Sequence, residues 1–515
     1  MRLHHRPLAV LLLLAAPLAA QQVTYRLRIA DAAERTAAVT ATFPSAGKDT
    51  LELFLPVWSP GFYRVENYHE QVLAFAAHDA AGKALAIDQP KANRWRITTG
   101  GATEVVASYS LRCTRGSVTG NQIAPGFAVF CGPATFVGEV GAPARPHTVH
   151  VELPDGWKDA VSGLPPATGG TAHSFLARDY DWLLDSPLVL GNVATTAFDV
   201  LGARHAWAEF GDKGEWDTAL LVQKLQPVAA ELCRTFGAVP FPRYVFLAGF
   251  RNANGGLEHL DSTLLSVSRR QQPGDPGFLS FVAHEYAHAF NVKRLRPVEL
   301  GPFDYESPPN TPSLWISEGL TTWFGDLALA RAAAIAPATW LGLVSGHVRS
   351  LQGAAGRKRQ TLADASLAVW NGSVSGTGGD PRTTISYYTK GPVVGFVLEA
   401  RLRVASGGAA GLDEVMRRAY AKYSGAQGFT PAQFEAIAAE VAGSDQRAFF
   451  DRALRSCEEL DYAEALAWFG LRFAAAADDA PRDQRWKLEV LPDASPEQQA
   501  HLQVLLAPTP MPRTK

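Results

Sequence analysis

Cysteine is scarce, at four residues in 515. None falls in a Cys-x-x-Cys pair, which excludes a disulfide scaffold and a zinc ribbon. Charge of one sign is not in excess: Lys plus Arg is 48, Asp plus Glu is 50, and the formal charge is −2. That near-balance argues against non-specific nucleic-acid binding and against a polybasic membrane tether. No Gly-x-Gly-x-x-Gly or Gly-x-x-x-x-Gly-Lys-Ser/Thr loop occurs, so nucleotide phosphates lack their usual backbone cradle. The nearest approach to the Gly-x-Ser-x-Gly elbow of serine hydrolases, Gly372 to Gly376, has Val374 at its centre. What is abundant is apolar material. Hydrophobic residues make up 47% and charged residues 19%, enough for a large core and, at this length, two to four domains.

Residues 1–20 read as a secretory signal. Arg2, His4, His5 and Arg6 form a basic start, Leu8 to Ala16 an apolar run, and Leu18-Ala19-Ala20 a small-residue cleavage site. The run falls short of the roughly 20 residues that span a bilayer, and no later stretch is long and apolar enough. The expectation is a periplasmic or secreted protein of bacterial type with no stable membrane anchor after cleavage. Disulfides are permitted there, so Cys113 with Cys131 and Cys233 with Cys457 are open pairings, with buried free thiols the alternative.

Two textures follow. From Val23 to about Gly191, short alternating runs such as Leu51 to Leu55 and Val105 to Tyr109 are broken by Gly, Pro and Asp. Period-two alternation with turn residues between runs predicts an antiparallel β domain. Beyond about Phe198 the apolar spacing becomes helical. Helices are expected over Asp217–Phe236, Phe278–Arg294, Ser313–Ala334, Pro337–Gln352, Gly391–Ala405, Gly411–Tyr423, Thr430–Ala442 and Asp445–Leu454, with one strand at Tyr244–Phe250. The fold class is α+β multidomain: signal peptide 1–20, N-terminal β-sandwich 21–195, mainly α catalytic domain 196–470, and a weakly patterned tail 471–515.

The chemistry sits at His284-Glu285-Tyr286-Ala287-His288, an H-E-x-x-H pentamer. Positions i and i+4 share one helix face, so both imidazoles can reach one tetrahedral zinc ion. Glu285 follows the first of them, where it can take a proton from the attacking water. A third ligand must come from downstream. Glu299 and Glu306 lie in a Pro-rich loop that cannot be regular helix. Glu318 lies in an apolar-rich helix, where a carboxylate needs a partner, and is the favoured ligand. Asp326, two turns on, is a candidate to orient a ligand histidine. Upstream, Gly255-Gly256-Leu257-Glu258 follows the candidate strand. It looks like the Gly-x-Met-Glu-Asn element of zinc aminopeptidases, in which the Glu binds the substrate's free amino group.

More broadly, the chain resembles the glycyl aminopeptidase family of gluzincin metallopeptidases. The resemblance rests on Leu55 to Tyr63, Asn93 to Arg96 and Asp179 to Pro187 in the β part. In the catalytic part it rests on Gly256 to His259, His284 to His288, Asn291 to Pro297 and Ser317 to Thr321, in matching order and spacing. The long interval from His288 to Glu318 is itself a feature of that family. The resemblance implies an N-terminal β domain followed by a thermolysin-like catalytic domain. It also implies one zinc ion per chain, peptide substrates with a free N-terminus, and a preference for small N-terminal residues such as Gly or Ala. In Ser386-Tyr-Tyr-Thr-Lys-Gly391 it gives Tyr388, with Tyr387 as fallback, the role of oxyanion donor. One departure stands out: the family usually carries a C-terminal PDZ domain of roughly ninety residues, and here residues 471–515 are expected to be either a simple tail or a PDZ remnant. Two other functions remain in view, a zinc endopeptidase if Glu258 anchors no amino terminus and a non-catalytic peptide-binding scaffold. The sequence leaves the oligomeric state open.

Overall fold

The computed structural model describes residues 22–511, except 143, 252–254, 372–379, 381, 478–479 and 482–483. The signal segment 1–20 and the Gly372–Gly376 run lie outside the described residues.

The N-terminal part is built on alternation. Strand Thr36–Pro44 buries every second side chain, and Glu104–Arg112 beside it does the same, as a sheet with one covered face requires. A six-stranded sheet runs in the order Ser174–Ala177, His147–Glu152, Val23–Asp31, Thr36–Pro44, Glu104–Arg112, Val72–Asp79. Two four-stranded sheets and a two-stranded one, Trp58–Ser59 with Phe62–Val65, complete the unit among the described residues, and one apolar cluster around Tyr25, Phe43, Phe136 and Leu190 fills it. Every pair in the large sheet is antiparallel except Val23–Asp31 with His147–Glu152, which is parallel. A long excursion of chain separates those two strands, which frees them from the hairpin constraint.

The second part opens with a five-stranded mixed sheet: Ala194–Val200, Ala203–Gly211, Arg243–Phe250, Ser262–Val267 and, at the edge, Gly256–Glu258. Strand Arg243–Phe250 is buried along almost its whole length, as expected where both faces are covered. Tyr244, Phe246 and Phe250 pack into the helical core, while Val245 and Leu247 pack into the β core. This sheet is the floor shared by the two parts.

Helices α1 (Thr218–Phe236) and α2 (Pro276–Ala287) cover its other face, and α3 (Thr321–Arg331), α4 (Pro337–Gly353) and α5 (Tyr387–Ala405) pack behind them. Asp217 caps α1 by accepting from Leu220 N, and Gly237 closes it at φ 70°, a left-handed cap that glycine adopts without a Cβ penalty. Three elements differ from expectation. Regular helix α2 stops at Ala287, short of Arg294, and α3 is preceded by a π-helical turn, Trp315–Leu320. Helix α5 begins a turn earlier than expected because Ser386 accepts from Tyr388 N and starts it there.

The tail folds back on the catalytic part. Strands Leu471–Phe473 and Leu488–Val490 pair, and Leu488 N donates to Ser345 Oγ on α4 at 2.8 Å. Buried Arg331 donates to Leu505 O at 2.9 Å and to Thr509 Oγ1 at 3.0 Å. All four cysteines are free. The open pairings fail because the thiols face other partners: Cys131 Sγ lies 3.4 Å from Val118 O and Cys233 Sγ 3.5 Å from the Tyr286 hydroxyl. Among the described residues, no helix is long and apolar enough to cross a membrane.

Candidate metal centre and cleft

Helix α2 carries His284, and His288 caps its C-terminus, with their Nε2 atoms 2.9 Å apart. Glu318 Oε2 lies 3.5 Å from the first and 3.2 Å from the second. Among the described residues these three form the one cluster whose ligand atoms lie close enough for a metal, all within 4.8 Å of one another.

Hydrogen bonds fix which nitrogens face inward. His288 Nδ1 lies 2.8 Å from Asn291 O, a carbonyl that can only accept, so that nitrogen carries the proton. His284 Nδ1 lies 3.1 Å from Thr322 Oγ1, whose own proton goes to Glu318 O at 3.1 Å. With both Nδ1 protons pointing outward, the two Nε2 atoms face each other, an arrangement that needs a cation, a proton or a metal ion, between them. Glu318 Oε2 is buried without a hydrogen-bond partner. Two neutral imidazoles and a carboxylate converging on one point require a cation, and nitrogen–oxygen donors in this number suit zinc. This also explains the early end of α2. A helical Asn291 carbonyl would point along the axis, whereas here it turns to His288, and the Asn291 side-chain Nδ2 donates to Ile316 O at 2.7 Å.

Electrostatics agree. Burial works to suppress the charge of His288, yet Glu318 and Glu258 outweigh it and raise its pKa to about 10, so the pocket favours a positive charge where the two Nε2 atoms meet, a proton unless a metal ion supplies it. Burial works against the Glu318 anion, yet His288 and His284 hold it well below the usual carboxylate range. Glu285 and Glu258 are pushed up, chiefly by burial and further by Glu318, with Glu258 adding its repulsion to Glu285. A site that crowds three carboxylates out of water is built around positive charge.

Close helix packing sets these positions. A Cβ on Gly319 would lie 2.5 Å from Gly391 Cα, so the π-helical turn and α5 cross backbone to backbone. A Cβ on Gly325 would lie 3.0 Å from His284 N, so α3 lies directly against α2. Tyr387 and Tyr388 start α5 with rings 4.8 Å apart, and the Tyr388 hydroxyl reaches the Glu318 carboxylate.

These groups line a cleft of about 500 Å³ that also includes Gly255, Gly256, Glu258 and Glu285. A Cβ on Gly256 would lie 2.4 Å from Glu285 Cδ, so only glycine leaves that carboxylate its place over the edge strand. Glu258 is buried, and its Oε1 has no hydrogen-bond partner.

Asp326 does not orient a ligand histidine. Its carboxylate is taken by Ser280 Oγ and by His347 Nε2, the latter at 2.7 Å, and Thr322 occupies the position expected of it. The other two carboxylates near the Pro-rich loop are engaged elsewhere. Glu299 accepts from Thr311 at 3.2 Å, and Glu306 accepts from Asn93 at 2.9 Å and from Arg94 Nε at 2.8 Å. Those last bonds tie the β part to the loop. Val57 N and Trp58 Nε1 add to them, donating to Tyr305 O and Asp304 O at 2.9 Å each.

The β part thus delivers a turn into the site that sequence reasoning missed. Gly61, at φ +90°, lies so close to Glu258 that a Cβ there would be 2.3 Å from Oε1. Phe62, Tyr63 and Arg64 line the cleft beside His284 and Tyr388. The Pro60-Gly61 pair signals a turn, and nothing local says what the turn faces.

Solved structures with this architecture include an M1 zinc metallopeptidase from Deinococcus radiodurans bound to a Tyr-Ser-Ala substrate. It shows TM-score 0.57 and 14% identity over 86% of this chain and 94% of that one. Yeast LTA4 hydrolase in complex with bestatin gives TM-score 0.53 and 13% identity over 85% and 68%. An aminopeptidase N family protein from Idiomarina loihiensis gives TM-score 0.82 and 26% identity over 87% and 78%. No curated protein matches the sequence. Converging imidazoles and carboxylate on this fold define the class: the chain is a zinc metallopeptidase. Its sequence narrows that further. The Peptidase M61 N-terminal domain matches residues 24–192 and M61 glycyl aminopeptidase matches residues 277–394, together more than half of the chain. The chain belongs to the M61 glycyl aminopeptidase family.

Proposed function

We propose that the protein is an exported aminopeptidase that binds one zinc ion and removes small N-terminal residues, Gly or Ala, from peptides. The observation that carries the exopeptidase reading is Glu258: a buried carboxylate with an unpartnered oxygen, in the same cleft as His284, Glu285, His288 and Glu318. A substrate α-ammonium would satisfy it by a charge-assisted hydrogen bond. Strand Gly256–Glu258 is the edge of its sheet and lines the cleft, so an extended peptide can lie along it as an added strand.

His284, His288 and Glu318 would hold the zinc. When bound, the ion supplies Lewis acidity for the scissile carbonyl and makes water nucleophilic at neutral pH. Glu285, held over Gly256, takes the proton from the attacking water and passes one to the leaving amine. Tyr388 donates its hydroxyl to the developing oxyanion, an interaction worth roughly 3 kcal/mol in comparable sites. Export rests on the basic and apolar composition of residues 1–20.

The test uses purified mature protein with Gly- and Ala-p-nitroanilide beside N-acetyl-Ala-p-nitroanilide, each with and without a chelator. Chelator-sensitive release from the free-amine substrates alone is the expected result. Cleavage of the blocked substrate would point to an endopeptidase, and silence of zinc-loaded protein on all three to a scaffold. Amino-terminal sequencing of the exported protein should begin at Gln21.

A further inference from the structure

Two cavities meet at Glu258. One is the open cleft described above. The other, about 170 Å³, lies between the β part and the catalytic part and is walled by Trp58, Trp182, Leu260 and Phe303. It offers roughly ten times the ~10–15 Å³ that a single water needs. Gly61, Tyr63 and Glu258 line both cavities and so form their common wall.

We propose that Tyr63, with the Gly61 turn, sets the size of the N-terminal side chain the enzyme accepts. The inner cavity is then an annex behind this wall that would admit an apolar side chain of leucine or phenylalanine size. This rests on the reading that Glu258 holds the substrate's amino group. The substrate Cα lies only about 1.5 Å from that nitrogen, so its side chain must leave beside the wall. Gly61 cannot give way, because its backbone is already pressed against the Glu258 carboxylate. Tyr63 supplies the bulk of the wall, with its ring edge-on to Trp370 at 5.8 Å.

The chemistry of the annex follows from which of its polar groups are engaged. Asp181 accepts from the Tyr305 hydroxyl at 2.7 Å. Asp185 accepts from Lys293 Nζ and from Leu260 N, each at 2.7 Å. Asp179 accepts from Trp182 N at 2.7 Å and from Arg178 Nε at 3.2 Å, so all three aspartates of the lining are spoken for, and Lys293 would repel a second cation. Arg178 and Arg296 also line the cavity, lying over the Trp182 and Phe303 rings at 4.5 and 5.9 Å. They too would repel a cation, and the remaining wall is aromatic and aliphatic, which suits an apolar side chain rather than Lys or Arg.

The experiment measures kcat/KM of zinc-loaded full-length mature enzyme on Gly-, Ala-, Leu- and Phe-p-nitroanilide and on N-acetyl-Ala-p-nitroanilide. Wild type is compared with Tyr63→Ala and Tyr63→Phe, and folding is checked by thermal melting. Wild type should favour Gly and Ala. Tyr63→Ala should raise the Leu-to-Ala ratio at least about tenfold, the low end of what one methylene is worth in a hydrophobic pocket. Tyr63→Phe should keep the wild-type ratio, because the ring and not the hydroxyl is the wall. An unchanged ratio in folded Tyr63→Ala, or a wild type that already prefers Leu or Phe, overturns the proposal while the aminopeptidase reading stands. Cleavage of the acetylated substrate as fast as the free one removes the Glu258 anchor, and the proposal with it. If Tyr63→Ala does not fold, Tyr63→Leu vacates the far end of the ring and is read the same way.

Discussion

Thr322 offers a sharp test of how the metal centre is organised. Its hydroxyl stands 3.1 Å from His284 Nδ1 and passes its own proton to Glu318 O at 3.1 Å. One side chain thus joins the helices that carry two of the three ligands, and it selects the His284 tautomer whose Nε2 is free to bind. Thr322→Val keeps the shape and removes the acceptor. The Nδ1–H then loses its partner, and the imidazole can turn or move its proton to the nitrogen that must ligate. Loss of such an outer partner costs 10–100-fold in metal affinity, which converts to about 1.4–2.7 kcal/mol. Part exposure of Thr322 lets water replace some of the bond, so the lower half of that range is expected. The assay is competition for zinc against a chromophoric chelator, with apo protein of wild type, Thr322→Val and Thr322→Ser. The serine variant should bind within a few-fold of wild type. Equal zinc affinity in the valine variant and wild type would refute the reasoning and would mean that packing alone orients His284.

Three further perturbations bear on other parts of the argument. Glu285→Gln should retain zinc stoichiometry by metal analysis while kcat falls by about 10²–10⁴, the usual worth of a general base; an active variant would remove Glu285 from that role. Gly319→Ala should lower the melting temperature by several degrees, because its Cβ would meet the Gly391 backbone at 2.5 Å and overpacking costs about 1–3 kcal/mol; an unchanged melt would show that the two helices separate freely. His147 is buried in the large sheet, and burial, aided by Arg145, depresses its pKa to about 3. The unfolded chain takes up that proton near pH ~6.5 and the native protein does not. Stability should therefore fall as pH drops from about 6.5 towards 3, by up to ~1.4 kcal/mol per unit from this residue. Urea midpoints across that range should fall less steeply in His147→Asn, and identical slopes would rule the contribution out.

Much of this protein was legible in one dimension because its signals are local. Alternation in strands such as Thr36–Pro44 follows from the two-residue repeat of a pleated chain, and the helices of the second half follow from apolar spacing. The pair His284 and His288 is readable because one helical turn brings them together whatever surrounds them. Glu318 was favoured over Glu299 and Glu306 by a local argument too, since proline bars the other two from regular helix.

What sequence alone could not decide are meetings between distant segments. Asp326 has the spacing of an orienting carboxylate, yet Thr322, one turn earlier, stands against His284 because Gly325 lets α3 lie directly against α2. Gly61 and Tyr63 reach the cleft because Asn93 and Arg94 dock on Glu306, more than two hundred residues along the chain. The role of such residues is set by what the fold places opposite them, and no period or motif encodes it. Sequence determined the elements and the two histidines; tertiary packing chose the partners, because close approach depends on surfaces that exist only once the two parts have met.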